Sequence, residues 1–117
     1  MNRLNCPEYI ADLDKVCSLL LPWDKLAEKT VAISGATGMI GAFLVDVLMR
    51  KNDTEQLNCS VVALGRSAKK ARARLPYFER DFFSFEEGSV TAIGYRPATP
   101  ADYVLHLASS THPRQYA

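Results

Sequence analysis

Ser34 to Gly41 reads Ser-Gly-Ala-Thr-Gly-Met-Ile-Gly, between the β-branched run Thr30-Val31-Ala32-Ile33 and an amphipathic stretch. A glycine-rich turn joining a strand to a helix leaves backbone N–H groups free at the helix N-terminus, where the helix dipole favours a phosphate. In that chemistry Gly35 allows the tight turn, Gly38 lets the backbone approach a pyrophosphate, and Gly41 lets helix and strand pack closely. The spacing G-x-x-G-x-x-G is one residue longer at the front than the G-x-G-x-x-G fingerprint. No Gly-Lys-Ser/Thr follows it, which disfavours a P-loop for nucleoside triphosphates. Glycine triplets also recur in ordinary turns, so context decides. Ile40, Phe43, Leu44, Val47 and Leu48 fall at i, i+3, i+4, i+7 and i+8 and predict a helix with one apolar face.

A second candidate lies at the end of the next apolar run, Ser60-Val61-Val62-Ala63-Leu64. About 20 residues past such a turn, a dinucleotide fold places an acid on a ribose 2′-hydroxyl or an arginine on a 2′-phosphate. Here the sequence is Leu64-Gly65-Arg66-Ser67, with no acid. Gly65 is expected to open space, while Arg66, Ser67 and Lys69 or Lys70 offer charge-assisted donors for a phosphate dianion. These residues favour NADP over NAD. The alternative is a solvated Arg66 at the start of a helix whose wet face carries Lys69 and Lys70.

The elements that must position these residues follow from apolar spacing. Pro7 and Glu8 suit a first helical turn, and Ile10, Leu13, Cys17, Leu20 and Leu21 repeat at helical spacing until Pro22. This predicts a leader over residues 1–28, closed by a short lid of Trp23 and Leu26 and packed on the sheet's edge in preference to a membrane or partner. Residues 29–117 then carry a strand at Thr30–Ser34, a helix from Met39 to Arg50 ending in the polar run Lys51–Thr54, and a strand at Ser60–Leu64. A basic helix from Ser67 to Leu75 follows, then a strand region at Phe82–Glu86 with Val90–Ile93, and a strand at Tyr103–Ala108. Uninterrupted apolar strands suit a parallel sheet covered on both faces. The β-α-β-α-β order implies right-handed crossovers and a doubly wound sheet, with a ligand at the carboxyl ends of the strands.

Composition narrows the rest. The 117 residues carry a formal charge of +1 with acids and bases intermixed, which gives no electrostatic footprint for nucleic acid or an anionic membrane. The start does not read as a signal peptide and no apolar run approaches the ~20 residues that span a bilayer. The expectation is a cytoplasmic chain. Cys6, Cys17 and Cys59 lack a Cys-x-x-Cys pair and read as small hydrophobes. With only His106 and His112 to add, no metal site is expected.

The turn Ser34–Gly41 resembles the [TS]-G-A-T-G-x-[IL]-G turn of the extended short-chain dehydrogenase/reductase family, the NAD-dependent epimerases and dehydratases of nucleotide sugars. Asp102-Tyr-Val-Leu-His-Leu-Ala-Ser109 is similar to that family's D-x-V-x-H-x-A-A fourth strand, and Trp23 and Leu26 match a Trp-x-x-Leu element that precedes strand one in some members. The resemblance implies a partial Rossmann-type sheet of about four strands. It makes Gly35, Thr37, Gly38, Met39, Ile40 and Gly41 positions of the pyrophosphate turn of NAD(P). It puts Ala108, Ser109 and Ser110 beside the adenosine half, and turns Thr111 and His112 towards a nucleotide-sugar substrate. His106 is expected to be structural, hydrogen-bonded in the sheet layer.

The departures are specific. Where the family's third strand ends in an acid that contacts adenine, Gly88-Ser89-Val90 offers Ser89, and Ser109 replaces the second alanine of the fourth-strand motif. The family's chemistry uses Tyr-x-x-x-Lys, in which the lysine lowers the tyrosine pKa so that it serves as general base. Tyr9, Tyr77, Tyr95 and Tyr103 are followed at the fourth position by Leu13, Asp81, Thr99 and Leu107, and Tyr116 is one residue from the end. No catalytic residue is therefore expected here. The expectation is an N-terminal fragment, or truncated product, of a nucleotide-sugar epimerase, dehydratase or reductase whose parent admits a homodimer. A non-catalytic NAD(P)-binding sensor or scaffold is the alternative.

Overall fold

The computed structural model describes residues 3–87 and 101–107. Its helices are α1 (Pro7–Cys17), α2 (Met39–Glu55) and α3 (Ala68–Arg74), and its strands β1 (Thr30–Ser34), β2 (Ser60–Gly65), β3 (Phe83–Glu87) and β4 (Tyr103–His106). Short 3-10 helices at Arg3–Asn5 and Trp23–Lys25 flank α1. The four strands form one all-parallel sheet in the order β3-β2-β1-β4. With its flanking helices this is a partial Rossmann-type α/β fold. Among the described residues, no helix is long and apolar enough to cross a membrane.

The central strands are apolar on both faces because both are covered. Val31, Ile33, Val61 and Ala63 pack with Val45, Leu48 and Met49 of α2 and with Leu75, Tyr77 and Phe83. Ala32, Val62 and Leu64 form the opposite face with Ala101. The outer strand β4 is exposed along its length. Two polar contacts fix its register beside β1. The Asp102 carboxylate accepts the Thr30 N–H at 2.8 Å, and the Asp102 N–H donates to the Thr30 carbonyl at 2.8 Å.

Two elements differ from the sequence reading. The leader helix stops at Cys17, and Leu19, Leu20 and Leu21 are exposed instead of extending its apolar stripe. It lies against α2 and not at the sheet's edge: Leu13 and Cys17 bury against Val47, with Phe43 and Trp23 around them. Helix α2 runs on through the polar run to Glu55, because those polar residues have tertiary partners. Lys51 is buried, donates to the Cys17 carbonyl at 3.2 Å, pairs with Glu55 and lies 4.6 Å over the Trp23 ring. The Asn52 amide brackets Cys59, accepting its N–H and donating to its carbonyl, both at 2.9 Å. The segment 90–93 lies outside the described residues.

Candidate functional site

The turn between β1 and α2 is built by its glycines. Gly35 has φ 73°, the left-handed region that a side chain rarely adopts. The Gly38 N–H closes the turn on the Gly35 carbonyl at 3.0 Å. Gly41 sits where helix meets turn, and a Cβ there would lie 2.1 Å from the Gly35 carbonyl oxygen and 2.8 Å from Ala36 Cα. At Gly38 a Cβ would come within 3.3 Å of the same oxygen.

The N-terminus of α2 is open to a ligand. Gly38 is its N-cap, and among the described residues no side chain caps it. The first intrahelical bond runs from the Ala42 N–H to the Gly38 carbonyl at 2.8 Å, so the N–H groups of Met39, Ile40 and Gly41 precede the ladder. Thr37, Gly38, Met39 and Ile40 are exposed, Met39 at 84% and Ile40 at 68%. The expected apolar face therefore begins at Phe43: Ile40 leaves the core and borders the open donors. Around it the buried surface of α2 is broader than one stripe and includes Val45, Asp46 and Met49.

Parallel registry brings the second candidate to the same edge. Ser34 is opposite Leu64, so the turn and Arg66–Ser67 follow adjacent strand ends. Arg66 is exposed and makes no hydrogen bond or ion pair among the described residues. Ser67 is the N-cap of α3, its hydroxyl oxygen accepting the Lys70 N–H at 3.2 Å; Lys69 and Lys70 are exposed. Gly65 serves packing and does not open space, since a Cβ there would meet the Phe85 ring at 3.2 Å. His106 Nδ1 lies 3.1 Å from Ser34 Oγ, a contact within the sheet layer. Ser89, Ala108, Ser109, Ser110, Thr111 and His112 lie outside the described residues.

Sequence reasoning missed two features near this turn. Asp46, fully buried on α2, is the hub of a polar cluster. Arg3 grips its carboxylate with Nε at 2.7 Å and Nη2 at 3.0 Å, the Tyr9 hydroxyl donates at 2.5 Å and the Tyr77 hydroxyl at 2.6 Å. The other is Arg74, whose Nε donates to the Thr37 carbonyl at 3.1 Å while its own carbonyl accepts Arg3 Nη1 at 2.6 Å. An acid inside the apolar run Phe43-Leu44-Val45-Asp46-Val47-Leu48-Met49 was the available signal for the hub.

Burial, together with the carboxylate they face, raises Tyr9 to about 12 and Tyr77 further. Below the ordinary tyrosine value of about 10 both hydroxyls are neutral in either state. Above it the unfolded chain loses protons first, so folding stability falls as pH rises from about 10 through the folded values. The expected result is a urea midpoint that drops across this alkaline window, with a shallower drop for Tyr77→Phe than for the parent. Identical slopes would remove Tyr77 from the linkage.

The model of the NAD dependent epimerase/dehydratase family matches residues 31–117. No curated protein and no solved structure matches the chain.

Proposed function

Since the chain belongs to the NAD-dependent epimerase/dehydratase family, we propose that it is the cofactor-holding part of an NAD(P)-dependent oxidoreductase acting on a nucleotide sugar. The observation that carries this reading is the uncapped N-terminus of α2, where among the described residues three N–H groups have no partner, above a turn in which a Cβ at Gly41 would strike backbone and one at Gly38 would be crowded. Such a cradle suits a pyrophosphate. In this reading the N–H groups of Met39, Ile40 and Gly41 take the phosphate oxygens, Thr37 and Gly38 border them, and Ile40 and Met39 lose their exposure beneath the dinucleotide. Arg66, exposed at the adjacent strand end and without a partner among the described residues, holds a 2′-phosphate, and Ser67 adds a hydroxyl donor while its oxygen caps α3. Ser89, Ala108, Ser109 and Ser110 complete the adenosine side, and Thr111 and His112 face the substrate.

A bound nicotinamide supplies hydride acceptance and return. The residues of this chain bind and orient that group. No tyrosine here is followed by lysine at the fourth position, so no general base is assigned among them.

Titration with NADPH and NADH, followed by calorimetry, tests both levels of the reading. NADPH is expected to bind about tenfold more tightly than NADH, a difference that Arg66→Ala removes. Gly38→Val is expected to abolish binding of both while the circular dichroism of the chain is retained. Equal affinity for the two cofactors would overturn the role of Arg66, and unchanged affinity in Gly38→Val would overturn that of the turn.

A further inference from the structure

We infer that Arg74 is a positioning residue for the phosphate-binding turn, holding the Thr37–Gly38 peptide in the orientation that presents the α2 N-terminus; this rests on the cofactor reading above. The Thr37 carbonyl and the Gly38 N–H belong to one peptide unit, and both ends are engaged. Arg74 Nε donates to the carbonyl at 3.1 Å, and the N–H donates to the Gly35 carbonyl at 3.0 Å. A planar unit held at both ends cannot rotate about its flanking bonds without losing one of them. This peptide leads directly into Met39, the first residue of α2.

Arg74 is itself anchored from below. Leu75, the next residue, is buried and its N–H returns to the Ala71 carbonyl at 2.7 Å. The Arg74 carbonyl accepts Arg3 Nη1, and Arg3 is fixed by two bonds to the buried Asp46 of α2. The Arg74 side chain is thus the exposed end of a strap from the interior of α2, through the N-terminal segment and α3, to the turn. The contact uses Nε and not the charge as such. That gives it a chemical signature: glutamine places an amide N–H at the position of Nε, whereas lysine places a methylene there and keeps the charge.

The test is NADPH affinity of the full chain with Arg74→Ala, Arg74→Lys and Arg74→Gln, together with the Thr37 carbonyl-carbon resonance of each variant without cofactor. Arg72→Ala, which removes a neighbouring charge stacked 4.5 Å over the Phe78 ring, is the control. Arg74→Ala and Arg74→Lys are expected to lose about fivefold in affinity and to shift the Thr37 resonance. Arg74→Gln and Arg72→Ala are expected to stay within about twofold of the parent, with the resonance in place. The reverse order, with lysine retaining affinity and glutamine losing it, would overturn positioning in favour of charge attraction. An unmoved Thr37 resonance in Arg74→Ala would also overturn the inference. If the parent chain binds no NADPH while the resonance moves as expected, the cofactor reading falls and the hold of Arg74 on the turn stands.

Discussion

Gly41→Ala is expected to destabilise the chain by about 3 kcal/mol and to abolish cofactor binding in whatever fraction remains folded. The added methyl would sit 2.1 Å from the Gly35 carbonyl oxygen and 2.8 Å from both Ala36 Cα and the Gly35 carbonyl carbon. All three are backbone atoms, so no side chain can swing aside. Relief requires lifting α2 away from the turn, and that uncovers Ala42 and Val45 where they pack on the sheet. A loss of this size is a large share of the ~5–15 kcal/mol that holds a domain together. Gly38→Ala is a fair comparison because its Cβ would stand 3.3 Å from the same oxygen with an ordinary backbone conformation. Urea unfolding of the two variants measures the contrast. A Gly41→Ala midpoint equal to that of the parent would show that the turn yields, and the close approach would then lose its importance.

Arg3→Met has a comparable expected cost, about 3 kcal/mol, for an electrostatic reason. The Asp46 side chain is fully buried, and Arg3 is its positively charged partner. Removing one member of a buried pair leaves an uncompensated charge, which costs about 3–5 kcal/mol. The two tyrosine hydroxyls keep their hydrogen bonds to the carboxylate and hold the expected loss at the lower end. The double variant Arg3→Met with Asp46→Leu is expected to recover part of the loss, since it removes the stranded charge. Urea unfolding of the three variants closes the cycle. Simple additivity of the two single losses would show that Arg3 and Asp46 do not act as a pair.

Much of this arrangement was legible because it is local. The β-branched run before Ser34 and the apolar spacing after Gly41 specify a strand, a turn and a helix. Apolar β2 and the basic stretch before Pro76 specify the next pair. The family match over residues 31–117 accords with the resemblance carried by the glycine turn and the Asp102 strand. What was not legible depends on partners far apart in the chain. The polar run Lys51–Thr54 reads as a helix end until Trp23 and Cys59 are placed beside Lys51 and Asn52. Leu20 and Leu21 continue the helical spacing of α1, yet the chain turns at Ser18, whose hydroxyl donates to the Lys15 carbonyl at 2.9 Å. Gly65 looks like room for a ligand, and only the pairing of β2 with β3 reveals the Phe85 ring that fills it. The partners of Asp46 lie 43, 37 and 31 residues away. No periodicity in the sequence connects them.

The clamp between Asp102 and Thr30 also bears on the order in which the sheet assembles. Pairing β1 with β2 joins Thr30 to Ser60, whereas the Asp102 contact closes a separation of 72 residues. The entropy lost in closing the longer loop exceeds that of the shorter by about 0.8 kcal/mol. The shorter loop contains the glycine turn and all of α2 and meets the second strand end where Arg66 stands. The segment that carries the glycine turn is thus a low-contact-order unit, and β4 is recruited onto its edge across the longer span.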